Sequence, residues 1–287
     1  MKLSFIGLGV MGYPMAGHLK NAGHDVTVYN RTTAKAEKWS QEYGGNFAKS
    51  PAEAAAGAEM VFVCVGNDDD VRSVIFGDSG VLAGMATGVT LVDHTTTSAI
   101  LARELGVACY AKGISFLDAP VSGGQAGAEN AALTIMIGGS EDTYKAVEPV
   151  IDSYAKKSKL LGPVGSGQLA KMVNQICIAG VVQGLSEALN FASASGLNAD
   201  DVVEVISKGA AQSWQMENRS ATMVRGEFEF GFALDWMRKD LGFALAEAEK
   251  NDIPLPVTKL VDGFYEEIQK NGGGRWDTSA LITLLKQ

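Results

Sequence analysis

The sequence predicts an α/β chain in which a doubly wound sheet is followed by an all-α domain, and three observations predict it. An apolar run, Leu3-Ser4-Phe5-Ile6, enters a glycine-rich turn, Gly7-Leu8-Gly9-Val10-Met11-Gly12, which opens a helix-like segment from Tyr13 to Asn21. Further short apolar runs alternate with helical stretches. After the glycine-rich stretch Leu160-Leu161-Gly162-Pro163-Val164-Gly165-Ser166-Gly167 the strand pattern stops and helical periodicity takes over. The boundary is therefore placed between residues 162 and 163, giving domains 1–162 and 163–287.

The first strand and its turn read as a dinucleotide site. Gly7 makes the tight turn, Gly9 lets the backbone approach a pyrophosphate, and Gly12 lets helix and strand pack closely, with the helix N–H groups facing the phosphates. Leu8, Val10 and Met11 belong to the same cradle. The next strand, Asp25-Val26-Thr27-Val28-Tyr29, ends in Asn30-Arg31-Thr32, where an NAD enzyme usually carries an acid for the ribose hydroxyls. Without that carboxylate, and with Arg31 to clamp a 2′-phosphate, NADP(H) is preferred, NAD(H) remaining usable.

Later strands are expected at Met60 to Val65, Val89 to Asp93, Ser115 to Ala119 and Leu133 to Ile137, near-continuous apolar runs of the kind a sheet covered on both faces demands. Ligands gather at the carboxyl ends of such strands. Those ends carry Gly66-Asn67-Asp68, Asp93-His94-Thr95-Thr96-Thr97 and Asp118-Ala119-Pro120-Val121-Ser122-Gly123-Gly124. Asp93 and Asp118 are expected to fix loops, and His94 to be a solvated strand-tip residue. From Gln168 to Ser195 a long helix, buried on nearly every face, is expected to run to a glycine stop at Gly196, followed by a cap at Asn198 and a further helical stretch from Phe230 to Lys250.

Composition sets limits on function. A formal net charge of −9 and a pI near 4.9 argue against nucleic-acid binding, so an anionic ligand must be met by local positive charge. Lys171, Asn174, Gln175, Gln183 and Glu187 interrupt the long helix and argue against a membrane span. The amino terminus enters the first strand directly, so no signal peptide and a cytoplasmic location are expected. Cys64, Cys109 and Cys177 lie far apart in apolar surroundings and read as buried thiols of a reducing compartment; with 3 His in the chain, no metal site is expected.

Lys171 is the cation a purely structural reading explains least. Asn174 and Gln175 follow three and four residues later on the same helical face, and the glycines at 162, 165 and 167 let the start of this helix approach another backbone or a ligand. Partial burial lowers a lysine's pKa toward the range useful for proton transfer, which makes Lys171 a credible general acid.

These segments together resemble the β-hydroxyacid dehydrogenases, which include 3-hydroxyisobutyrate dehydrogenase, tartronate semialdehyde reductase and the glyoxylate/succinic semialdehyde reductases. The resemblance rests on Phe5 to Ala16, Asp118 to Gly124, Gly165-Ser166-Gly167 with Lys171 and Asn174, and Lys239-Asp240, in that order along the whole chain. It implies a Rossmann domain, an all-α domain carrying the contacts of a homo-oligomer (dimer or tetramer), and hydride transfer between a nicotinamide and a small anionic carboxylic acid. By position it implies that Ser122 with the backbone of Gly123 and Gly124 binds the substrate carboxylate, and that Lys171 protonates the substrate oxygen. It further implies that Asn174 orients that oxygen or Lys171, that Thr95 and Thr96 border nicotinamide and substrate, and that Lys239 closes the cleft against both. Val65 and Asn67, at the tip of the strand beginning at Met60, are assigned to the cofactor with Thr96.

The chain departs from the family pattern in having Thr95-Thr96 where a Ser-Thr pair is common, Ala99 where a proline follows, and His18 where an amide is usual. No catalytic group is lost, but the pocket near the nicotinamide is altered. Asn174-Gln175 in place of His-Asn argues against sugar-phosphate decarboxylation, and the presence of Lys171 argues against imine reduction. The expected activity is NADPH-dependent reduction of glyoxylate or succinic semialdehyde. The alternatives are an NAD(P)-dependent 3-hydroxyisobutyrate or related 3-hydroxyacid dehydrogenase, and a dinucleotide-binding module without turnover.

Overall fold

The computed structural model describes residues 1–285. Six parallel strands, β1 (Lys2–Ile6), β2 (Asp25–Tyr29), β3 (Asn46–Phe47), β4 (Met60–Val63), β5 (Thr90–Asp93) and β6 (Ser115–Asp118), form one sheet in the order β3-β2-β1-β4-β5-β6. The helices between them are α1 (Gly12–Asn21), α2 (Thr33–Tyr43), α3 (Pro51–Ala55), α4 (Asp68–Ile75), α5 (Val81–Gly84) and α6 (Ala99–Tyr110). This strand order is the doubly wound one, with its direction of winding reversed between β1 and β4.

Both faces of the sheet are covered, which is why its strands are apolar at consecutive positions. Leu3, Phe5, Phe62 and Val92 turn to one face and pack with Met15 and Leu19 of α1 and Trp39 of α2. Ile6, Val61, Val63 and Leu91 turn to the other, against Ala54 of α3, Val71 and Ile75 of α4 and Leu101 and Leu105 of α6. The alternation follows from the two-residue side-chain period of a strand.

The run from Leu133 to Ile137 is a strand but not part of that sheet, which corrects the sequence reading. It is β8 (Leu133–Ile137), the middle of a second, three-stranded sheet with β7 (Val121–Ser122) antiparallel and β9 (Ala155–Leu160) parallel to it. Two helices accompany it, α7 (Gly124–Glu129) and α8 (Glu141–Ile151). The antiparallel pair is β7 with β8, whose connection, residues 123–132 with the short α7, is shorter than the dozen or more residues that a parallel crossover needs.

The chain divides into two compact units, Met1–Lys171 and Met172–Gln287, with the division inside the 29-residue helix α9 (Ser166–Ala194). The second unit is helical: the rest of α9, α10 (Ala199–Ile206), α11 (Trp214–Arg225), α12 (Leu234–Lys250) and α13 (Pro256–Ile268), then a short π turn and a 3-10 turn at Thr278–Leu284. Ala179, Val182, Leu185 and Leu189 of α9 pack with Met223, Leu234, Met237, Leu241, Val261 and Tyr265. Gly196, at φ +75°, stops the chain after α9, and Asn198 caps α10 by accepting from the N–H groups of Asp200 and Asp201.

Three local expectations are corrected. α9 is long and apolar enough to cross a membrane by length and composition, yet it is not buried on nearly every face, for Val173, Cys177, Val181 and Phe191 are exposed. Cys177 is therefore not a buried thiol, whereas Cys109 is. The stretch from Phe230 turns helical only at Leu234, because Gly231 sits at φ +73° and Asp277 holds the loop through the N–H of Phe232.

Candidate active site

The three loop glycines differ in what holds them. Gly7 has φ +97°, and a Cβ there would lie 2.3 Å from the carbonyl oxygen of Cys64 on the neighbouring strand end. At Gly12 a Cβ would lie 2.0 Å from the carbonyl oxygen of Gly7, so any side chain would lever α1 off β1. At Gly9 a Cβ would meet nothing within 4 Å. The fold itself requires the first and third glycine but not the second, which is the division of labour expected where a pyrophosphate must approach backbone at the middle one. No side chain caps the start of α1, where the helix dipole favours an anion, although the N–H groups of Tyr13 and Met15 already donate to the carbonyl oxygens of Gly9 and Met11. This loop lies at the β1/β4 winding reversal and fits a dinucleotide.

Asn30 ties the loop after β2 to the glycine loop. Its Oδ1 accepts from the N–H of Leu8 at 3.0 Å and its Nδ2 donates to the carbonyl of Thr32 at 3.1 Å, so its amide orients the two loops. Arg31 projects into solvent, 87% exposed, with its guanidinium 3.4 Å from the Asp70 carboxylate. Thr32 is the residue before α2 and makes no side-chain cap. Asn67 caps α4 by accepting from the N–H of Asp70, and the N–H of half-buried Val65 donates to the hydroxyl of Thr95.

Asp93, Asp118 and Gln168 organise the strand tips of the first unit. Asp93 Oδ1 accepts from the N–H of Thr95 at 2.9 Å, and burial pushes this carboxyl up to about 7. Asp118 accepts from the N–H groups of Gly165 at 2.7 Å and Gln168 at 2.9 Å, anchoring the start of α9 with negative charge where the helix dipole favours it. Burial raises its pKa while those N–H bonds oppose the rise. The close approach foreseen from the glycines is real: a Cβ on Gly167 would lie 2.5 Å from the Asp118 carbonyl oxygen.

Thr95 is buried with its hydroxyl and both backbone groups engaged, while its neighbour Thr96 is half-buried. His94 is not solvated, which corrects the expectation. It is 1% exposed, stacked on Phe62, and its Nδ1 lies 2.7 Å from the carbonyl oxygen of Ala119, which fixes the proton on Nδ1. Nε2 therefore accepts from the Tyr154 hydroxyl at 2.8 Å, and burial pushes the imidazole down to about 4. His18 turns inward as well, its Nε2 lying 2.9 Å from the carbonyl oxygen of Ala128.

Ser122 ends β7 and is half-buried; Gly123 (φ +133°) and Gly124 (φ +61°) follow in conformations that favour glycine. A turn of this kind can direct successive N–H groups to one side, as an anion requires. Lys171, the last residue of the first unit, is 6% exposed. In the second unit Asn174 donates to Gln175, whose Nε2 donates to Asp240 Oδ2 at 2.6 Å. Asp240 also lies 3.3 Å from the Lys239 ammonium, which sits over the rings of Trp236 and Phe243. Asn174 and Lys239 are thus joined through Gln175 and Asp240.

The sequence reading gave Gln168 no role. A polar residue on the face that later presents Lys171 and Gln175, at spacings of three and seven, was the available signal. Among the described residues no cluster of His, Cys, Asp or Glu is arranged to hold a metal ion.

Residues 2–162 match the family described as the NAD binding domain of 6-phosphogluconate dehydrogenase, and residues 165–285 match the NAD-binding domain of NADP-dependent 3-hydroxyisobutyrate dehydrogenase. An uncharacterized oxidoreductase of Shewanella frigidimarina is 62% identical, covering 100% of this chain and 98% of its own. The 2-hydroxy-3-oxopropionate reductase of Escherichia coli is 34% identical over 100% of this chain and 97% of its own. Among solved structures, Mycobacterium tuberculosis 3-hydroxyisobutyrate dehydrogenase with L-serine superposes with a TM-score of 0.90 at 30% identity, over 100% of this chain and 99% of that one. The chain accordingly belongs to the 3-hydroxyisobutyrate dehydrogenase family of β-hydroxyacid dehydrogenases, NAD(P)-dependent oxidoreductases acting on a CH–OH group.

Proposed function

We propose that this enzyme works as an NADPH-preferring reductase of short aldehyde or 2-oxo carboxylic acids, with glyoxylate and succinic semialdehyde as the leading substrates. The observation that carries the cofactor preference is the end of β2, where solvent-facing Arg31 stands in place of an acid and so favours a 2′-phosphate. The reductive direction draws support from the likeness to 2-hydroxy-3-oxopropionate reductase.

The bound nicotinamide supplies the hydride. Ser122 and the N–H groups of Gly123 and Gly124 hold the substrate carboxylate, and Thr96 borders it. Lys171 stabilises the negative charge that grows on the carbonyl oxygen and gives that oxygen its proton, while Asn174 and Lys239 contribute an amide and a cation to binding. A second reading, oxidation of 3-hydroxyisobutyrate or a related 3-hydroxy acid, draws on the family match of residues 165–285. The exposed apolar side chains of α9, Val173, Val181 and Phe191, support a homo-oligomer, which sedimentation or light scattering will read.

The test is the steady-state rate of NADPH and NADH oxidation with glyoxylate, succinic semialdehyde and 2-hydroxy-3-oxopropionate, against NAD(P)-linked oxidation of 3-hydroxyisobutyrate. The expected result is fastest turnover with NADPH and one of the first two acids, reduced about 10²- to 10⁴-fold in Lys171→Ala. Faster oxidation of 3-hydroxyisobutyrate selects the second reading.

A further inference from the structure

We infer that Gln168 is a positioning residue for the reaction: its side-chain amide locks the Thr95–Thr97 segment to the helix that carries Lys171. The inference rests on Lys171 as the proton donor. Gln168 is fully buried, with Nε2 donating to the carbonyl oxygen of Thr95 at 2.8 Å and Oε1 accepting from the N–H of Thr97 at 3.0 Å. Its own N–H donates to Asp118 at 2.9 Å, so the first turn of α9 is bonded to the segments after β5 and at the end of β6 at once.

The chemistry of the contact explains why an amide stands there. An extended segment turns the C=O of one residue and the N–H of the second residue after it toward the same side, which is how a neighbouring strand would be paired. The segment after β5 has left its sheet and lacks such a neighbour, and buried backbone groups need partners. A primary amide supplies one donor and one acceptor in the required order. Because two bonds are made, rotation of the segment is fixed as well as its distance from the helix. Thr96 lies between the two anchored residues, and Lys171 lies three residues beyond Gln168, a rise of about 4.5 Å along the helix. Gln168 therefore sets the spacing between the acid and the strand tip it must serve, where a misplacement of about 1 Å costs on the order of 100-fold in rate.

The experiment compares full-length wild type with Gln168→Met, Gln168→Glu and Lys171→Ala, using whichever of glyoxylate, succinic semialdehyde or 3-hydroxyisobutyrate turns over fastest. Met keeps the volume and removes both bonds. It is expected to lower kcat about 10- to 100-fold and to raise the Kd for NADPH by less than that, because Thr96 and the Thr95-bonded Val65 are only part of the cofactor site and the glycine loop is bonded to Asn30. Glu as a carboxylate keeps the acceptor for Thr97 but opposes the carbonyl of Thr95. Once protonated it can donate to that carbonyl, so the ratio of Gln168→Glu to wild-type kcat is expected to rise from pH 8 to pH 5 while the Gln168→Met ratio stays flat. A merely space-filling role predicts no such rise. Wild-type kcat in Gln168→Met with an inactive Lys171→Ala overturns the role of Gln168 alone, as does a pH-independent Gln168→Glu ratio. Wild-type turnover in Lys171→Ala overturns the acid assignment and the inference with it.

Discussion

Replacing Gly9 and Gly12 separately by alanine should divide cofactor binding from folding. At Gly12 the new methyl would lie 2.0 Å from the Gly7 carbonyl oxygen and 2.9 Å from the Phe5 ring, so α1 must shift or the core beside β1 must open. Overpacking of this kind costs about 1–3 kcal/mol, offset by the roughly 1 kcal/mol that alanine gains over glycine in a helix. The contact with backbone at 2.0 Å puts that cost at its upper end, and a net loss of about 2 kcal/mol lowers the Tm of the apo protein by roughly 4–8 °C. At Gly9 the methyl meets no protein atom within 4 Å and the backbone is not in the left-handed region. The apo protein should then keep its Tm or gain about 0.4–1 kcal/mol from a stiffer unfolded chain. The same methyl occupies the approach that a pyrophosphate needs, and the Kd for NADPH should rise at least about tenfold, or 1.4 kcal/mol. Thermal unfolding of the apo proteins and fluorescence titration with NADPH measure the two effects. A Gly9→Ala protein that binds NADPH as wild type does would refute the phosphate role of the loop.

Two further outcomes are expected. Asp70 lies 3.4 Å from Arg31 and competes with a 2′-phosphate for the guanidinium; an exposed pair of this kind is worth about 0.2–1 kcal/mol, so Asp70→Asn should lower the KM for NADPH by up to about fivefold and leave that for NADH unchanged, with equal changes in both counting against Arg31 as the clamp. His94 titrates near 6.5 when unfolded and about 4 when folded, so the unfolded chain alone takes up its proton between those values. Its neutral form therefore contributes stability that is complete above pH 6.5 and lost as pH falls toward 4, up to about 3 kcal/mol. Asp93, raised to about 7, acts in the opposite sense as pH falls, so the reading is the difference between the two proteins: the wild-type urea midpoint should fall relative to that of His94→Gln between pH 6.5 and 4.

What was legible in the sequence was local. The turn from Gly7 to Gly12 and the apolar strands of the main sheet are contiguous patterns, and Asn198 announces the helix it caps. β9 is hidden because Lys156, Lys157 and Lys159 make it read as a solvated charged stretch, when lysines are what an edge strand carries to discourage further pairing. β8 reads as a strand, but its sheet is not legible, since its partner depends on β7, two residues long and too short to show a period. The burial of His94 is not legible because the groups that receive it, Ala119 and Tyr154, lie 25 and 60 residues further along the chain. Gln168 shows the same limit, its partners standing more than 70 residues earlier.

That His94 and Gln168 are not legible locally has one cause, the way the strand tips are held. Beyond β5 and β6 the chain leaves the sheet, and its backbone groups lose the ladder partners that a strand provides. The first unit satisfies them with side chains from other segments: Asp93 for the N–H of Thr95, Thr95 itself for that of Val65, Asp118 for those of Gly165 and Gln168, and Gln168 for both ends of the Thr95–Thr97 segment. A carboxylate offers acceptors alone and so serves N–H groups, including those at the start of α9 where the dipole favours it; an amide is needed where a carbonyl must be met as well. Each choice of residue type follows from the backbone group left over, not from the reaction. These bonds hold the strand-tip segments through the protein's own side chains, which is the condition for groups on them to act at fixed positions.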